Sequence, residues 1–164
     1  ELKKINSKSK SKVEKQKAKI LKLNNRFKGI DEIYKTYQGL SVVNRDSLQG
    51  IFKGNSIEEF IFCGVQHENV DSLWEYIKRE AVAGNNSELK ELEEIFRYFF
   101  TAHNKVYESP LYRLQEVEVD DSFDEDHHIR GNNSQVRGEI KEVLLRGYIN
   151  LKTDKVVKKS VVRV

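Results

Sequence analysis

Val13, Ile20, Phe27 and Tyr34 recur every seven positions, and Gln16, Leu23, Ile30 and Tyr37 form a second series offset by three. This alternating three–four spacing, kept up for about three and a half heptads, predicts a helix with a coiled-coil seam. Gln16 is the polar exception. Gly29 costs about 1 kcal/mol relative to Ala inside a helix and marks a place for a bend or fray. One helix cannot bury so narrow a stripe by itself. Residues 1–38 are therefore expected to pair, with Val13, Ile20, Leu23, Phe27, Ile30 and Tyr34 as the seam. A second copy of the chain is the simplest partner; packing back onto the chain's own helices is the alternative.

Short helices are predicted for residues 39–110. Asn44 or Asp46 is a candidate cap for one that ends near Phe52 and Lys53, with Gly54 as its stop. Ser56 and Glu59 have capping-box spacing and open a helix running to Gly64, with Phe60, Ile61 and Cys63 buried. Val70, Leu73, Trp74 and Ile77 share one face of the next helix. Gly84-Asn85-Asn86 breaks the pattern. Ser87 then caps a helix whose stripe is Leu89, Leu92, Phe96, Phe99 and His103, widened by Tyr98 and Phe100. Beyond Pro110 the period changes. Leu114 to Val119 alternates as a strand, Val136 to Tyr148 reads as a second, Thr153-Asp154-Lys155 fits a turn, and Val156 to Val164 reads as a closing strand. The whole predicts an α+β protein: a coiled-coil-like N-terminal helix, a short-helix bundle, and a small β domain over 111–164. A β unit of that size buries little core and is expected to lean on the preceding helix.

Composition sharpens this picture. Hydrophobic residues make up 38% of the 164-residue chain and charged residues 34%, which suits modest cores with much exposed helix surface. The net charge is only +3, yet residues 1–28 hold eleven Lys/Arg against two Glu. Such an arm is either a solvated Lys-rich helix or a surface for nucleic acid or another acidic partner. Cys63 is the one cysteine, which excludes an internal disulfide and a multi-cysteine metal site and points to a reducing compartment, the cytoplasm. No apolar run approaches a membrane span. With Glu at position 1 and no Met, the sequence reads as a piece of a longer chain.

Catalytic and metal chemistry find little purchase. His127 and His128 beside Asp124 and Asp126 resemble a ligand group, but all lie in one short loop with no further ligands nearby in sequence. Cys63 and His67 have the spacing of a nucleophile and base on one helix, without an orienting acid or oxyanion motif. No phosphate loop, dinucleotide fingerprint or His-Glu-x-x-His occurs. No enzyme, cofactor or metal is expected.

Three segments near the C-terminus carry a resemblance. Phe123-Asp124-Glu125-Asp126-His127-His128 is similar to the pattern Phe-Asp-Pro-x-x-His of the GrpE family of nucleotide exchange factors. Gly138-Glu139-Ile140-Lys141-Glu142-Val143-Leu144-Leu145-Arg146-Gly147-Tyr148 resembles that family's Gly-x-(apolar)-x-Glu-Val-Leu-Gln-x-Gly-Tyr strand, and Lys155 to Val164 resembles its closing strand. Glu125 stands in place of Pro, and Lys158-Lys159-Ser160 in place of Arg-Pro-Ala. Residues 39–84 match nothing in the family.

The resemblance implies a homodimer built on paired N-terminal helices, with a helical bundle and a C-terminal β domain. It also implies a partner, a DnaK-type chaperone ATPase, whose nucleotide cleft the β domain holds open so that ADP leaves. By position, Lys158, Lys159 and Val161 would be the contact strip, with Tyr148 nearby. The lysines could equally be solvated charges guarding a strand edge. Tyr148 and Gly147 could equally keep the fold, and His128 would be the family's structural histidine.

Overall fold

A computed structural model describes the chain from Leu2 to Val164, with side chains from Ser9 onwards. The Lys3, Lys4 and Lys8 side chains of the basic arm lie outside the described residues. The fold is α+β: α1 (Leu2–Gly39), α2 (Val42–Ser47), α3 (Ile57–Gly64), α4 (His67–Ala83) and α5 (Leu89–Asn104) precede six short strands. These are β1 (Tyr112–Leu114), β2 (His128–Arg130), β3 (Glu142–Leu145), β4 (Tyr148–Asn150), β5 (Lys155–Lys158) and β6 (Ser160–Arg163). No helix among the described residues is long and apolar enough to cross a membrane.

The helical signals are mostly local, and the structure follows them. At α3 the Ser56 hydroxyl accepts from the Glu59 N–H at 3.1 Å, and the Glu59 carboxylate accepts from the Ser56 N–H at 3.0 Å. Helix α4 ends on Gly84, whose N–H closes the last helical turn on the Glu80 carbonyl at 2.9 Å and whose left-handed φ of 73° turns the chain out of the helix. Helix α2 differs from expectation. Its cap is Ser41, whose hydroxyl accepts from the Asn44 N–H at 3.3 Å. Asn44 lies inside the helix and is buried, accepting from the Tyr76 hydroxyl at 2.6 Å. Helix α5 begins at Leu89 without a Ser87 cap. Its buried face includes Ile95 beside Leu92, Phe96, Phe99, Phe100 and His103.

Aromatic rings weld the C-terminal end of α1 to this body. Phe60 stands 4.8 Å from Tyr37, 4.7 Å from Phe52 and 5.0 Å from Phe99 between ring centroids. The close approach of α3 to α5 requires Gly64, since a Cβ there would lie 2.2 Å from the Phe99 ring.

The strands form two three-stranded sheets, ordered β1-β4-β5 and β2-β6-β3. Strand β6 runs parallel to β2 and antiparallel to β3. Three expectations are corrected here. Residues 115–119 are not a strand, and of the expected Leu114–Val119 only Leu114 pairs in a sheet, as the last residue of β1. Val136 to Tyr148 is not one strand, because residues 136–141 stay irregular around Gly138 at φ 140° and Gly147 separates β3 from β4. The closing segment is two strands that change sheet at Lys159. A buried polar knot holds that corner. The Gln115 side-chain oxygen accepts from the Ser160 N–H at 2.7 Å and hydroxyl at 2.6 Å, and the Ser160 hydroxyl accepts from the Gly147 N–H at 2.8 Å.

The β region shares the helices' core. Leu144, Leu145, Tyr148 and Val161 belong to the same buried cluster as Trp74, Ile77, Phe96 and Phe100. A smaller cluster of Val117, Ile140, Val162 and Val164 lies within the β region itself.

Candidate partner-binding surfaces

The expected contact strip divides when its side chains are followed. The chain changes sheet at Lys159, between β5 and β6, and the two lysines point to different neighbours. Lys158 turns inward to α4, where its ammonium meets Asp71 at 2.9 Å and Glu75 at 2.8 Å and lies 5.4 Å from the centre of the Trp74 ring. Burial opposes its charge, but the two carboxylates outweigh burial and raise its pKa. Burial likewise opposes the Glu75 charge, yet hydrogen bonds from Lys158 and Lys78 hold its carboxyl below the ordinary value. Lys159 turns the other way and donates to the Glu125 carbonyl at 2.7 Å.

Tyr148 and Val161 are corrected outright as contact residues. Val161 is fully buried, and Tyr148 is 2% exposed. The Tyr148 hydroxyl donates to Asp71 at 2.9 Å, and burial followed by the Asp71 charge pushes its pKa far upward. Neither side chain offers a surface. Of the four, Lys159 is half-buried and is tied by its Glu125 bond to the turn that carries Asp124, Glu125, Asp126 and His127.

That turn is organised by Asp124. Its carboxylate meets His127 Nδ1 at 2.5 Å and accepts from the Asp126 N–H at 2.9 Å. Those two bonds, the backbone one first, hold its pKa below the ordinary value. The Asp124 N–H donates to His128 Nδ1 at 3.1 Å. Burial, then the neighbouring His127, depresses the His128 pKa, so His128 serves here as a neutral acceptor fixing the turn. No group of three or more His, Cys, Asp or Glu able to hold a metal occurs among the described residues.

The seam divides too. Val13, Ile20, Leu23 and Phe27 are 46%, 57%, 44% and 51% exposed among the described residues. Ile30 is half-buried, and Tyr34 packs on Phe60 at 5.3 Å between centroids. The seam therefore begins free and ends inside the chain's own core. Between the two parts, Leu23, Phe27 and Ile30 of α1 face Ile57, Ile61 and Phe62 of α3 across an apolar groove of about 710 Å³. Phe62, at 67% exposed on its rim, is a surface apolar residue that the heptad reading did not reach. Its place beside Phe60 and Ile61 in an apolar run was the available signal.

No protein-family model, curated protein or solved structure matches the chain.

Proposed function

We propose that the protein is a non-enzymatic co-chaperone of the GrpE type, acting in the cytoplasm as a homodimer joined along α1 and promoting ADP release from a DnaK-type chaperone ATPase. One observation carries the reading. The three segments that resemble the family follow one another between Phe123 and Val164, and each supplies or leads into one strand of the β2-β6-β3 sheet, the last two also contributing to β4 and β5 of the other sheet. Residues with a shared ancestry of function would be expected to form one unit in this way. The free apolar stripe from Val13 to Phe27 adds support, since a second α1 is its simplest cover.

The mechanism needs no reacting group. A partner that prefers the open nucleotide cleft shifts the population towards it, and bound nucleotide weakens that partner by the same factor. A thousandfold acceleration requires about 4 kcal/mol of preference for the release transition state. The surface assigned to this task is the outer corner formed by Lys159 and the Asp124–His127 turn, in place of the buried Tyr148 and Val161.

The test is release of fluorescent ADP from the DnaK-type ATPase of the same genome, with and without this protein. Acceleration that is lost in Lys159→Glu with Asp126→Arg supports the reading. Binding with unchanged release reduces the protein to a scaffold, and neither binding nor acceleration overturns the proposal.

A further inference from the structure

The acids among the described residues of α1 are spent on one set of lysines. Glu14 lies 3.5 Å from Lys17, Glu32 lies 3.6 Å from Lys28, and Asp31 lies 2.6 Å from Lys35. A second set is left over. Lys12, Lys15, Lys19, Lys22 and Arg26 follow at three–four–three–four spacing, which places them in one row along the helix. All five are exposed. None is three or four positions from Glu14, Asp31 or Glu32, so no acid on the helix reaches the row. Arg26 also lies against the Phe27 ring, 5.8 Å from its centre.

We infer that this row is a docking surface for the phosphate backbone of double-stranded DNA. The inference goes beyond the exchange-factor reading and does not rest on it. The row extends for roughly 21 Å at the helical rise, with neighbours about 5–6 Å apart. Over that length a duplex presents on the order of a dozen phosphate charges, far more than five cations neutralise. With Val13 as the first heptad position, the row falls on the third and seventh positions. Lys15 and Lys22, at the third position, stand clear of the seam, and Lys12, Lys19 and Arg26, at the seventh, border it. A membrane surface fits less well, because an interfacial helix needs a broad apolar face. Here the apolar stripe is narrow, is interrupted by Gln16, and has cations on both sides. Every member of the row is Lys or Arg, the side chains that supply most of the charge contacts to phosphate. Duplex DNA is preferred over duplex RNA because the major groove of B-DNA admits a helix and that of A-form RNA does not.

Fluorescence anisotropy with a labelled mixed-sequence DNA duplex of about 24 base pairs tests the assignment, with salt varied between about 50 and 200 mM. Binding is expected with a log–log salt slope of about −4 to −5, from five phosphates at roughly 0.9 each. Lys15→Glu/Lys19→Glu/Lys22→Glu should weaken it at least about a hundredfold. The control Lys17→Glu/Lys28→Glu/Lys35→Glu changes net charge equally and should weaken it far less. Helicity by circular dichroism checks that both variants fold. Equal loss in the two variants, a slope shallower than about −2, or no binding overturns the inference. Tighter binding to an RNA duplex, or binding only to vesicles rich in phosphatidylserine, overturns it as well.

Discussion

The ammonium of Lys158 lies 2.8 Å from the Glu75 carboxylate, and this pair fastens β5 to α4 across 83 positions of sequence. Asp71 shares the same ammonium at 2.9 Å. Removing it leaves two half-buried carboxylates one helical turn apart, Glu75 held by Lys78 alone and Asp71 by the Tyr148 hydroxyl alone. Lys158→Ala is therefore expected to cost about 1–3 kcal/mol, read as a lower urea midpoint with unchanged slope. The sign with pH follows from the shifts. The Glu75 pKa is lowered, so its contribution is present above the ordinary 4.5 and is lost as pH falls through the native value. The Lys158 pKa is raised, so its contribution is full below 10.5 and is lost as pH rises through the native value. The gap between wild type and variant should be widest between those limits and close on the acid side.

Tyr148 gives an independent alkaline signature. Its pKa is raised in the fold, by burial first and Asp71 second. Its contribution is full below pH 10.0, the ordinary tyrosine value, and is lost as pH rises above it, because the unfolded chain releases a proton that the native chain retains. Tyr148→Phe should cost about 0.5–1.5 kcal/mol at neutral pH through the lost hydrogen bond to Asp71. It should also flatten the fall in urea midpoint above pH 10.0. The flattening is expected to be partial, since burial raises Tyr37, Tyr76 and Tyr98 too.

These two residues also show where sequence reasoning stops. Helix ends were legible where both partners lie within one turn, as with Ser56 and Glu59. Asn44, one of two candidate caps, is not a cap, because its side chain is taken up by Tyr76, Asn86 and Glu88 from other elements. The contact strip was misassigned for a similar reason. The chain changes sheet between Lys158 and Ser160, and what Lys158 meets depends on Asp71 and Glu75 of α4, a helix far away in sequence. The split of the closing segment between two sheets depends on Gln115 capturing Ser160, a contact across 45 positions. The heptad seam, by contrast, is local and periodic. Its apolar positions could be picked out directly, though not the point at which Tyr34 enters the chain's own core.

Gly64 tests the packing of α3 on α5. A methyl group there meets the Phe99 ring at 2.2 Å, and Phe99 is itself fully buried against Phe52 and Phe60. The ring has no free space to enter. Gly64→Ala is expected to destabilise by about 1–3 kcal/mol despite the better helix propensity of Ala. Gly29→Ala, where a Cβ meets nothing within 4 Å, should instead stabilise α1 by up to about 1 kcal/mol. Thermal unfolding of the two variants should shift in opposite directions.

The free seam makes the last prediction. Ile20 and Phe27 are 57% and 51% exposed on one stripe of α1, and neither belongs to the core. Replacing both with Ser removes little from the folded chain itself, so the urea midpoint measured at high dilution should move by less than about 0.5 kcal/mol. Any association along α1 should suffer much more, because a buried apolar side chain is worth about 1.5–3 kcal/mol and a symmetric dimer loses each one twice. Sedimentation velocity across a concentration series separates the two effects. A concentration-dependent dimer in the wild type that becomes a monomer in Ile20→Ser/Phe27→Ser places the interface on the seam. A dimer that survives both substitutions moves the interface away from α1, and an unaltered monomer in both proteins removes the homodimer from the proposed mechanism.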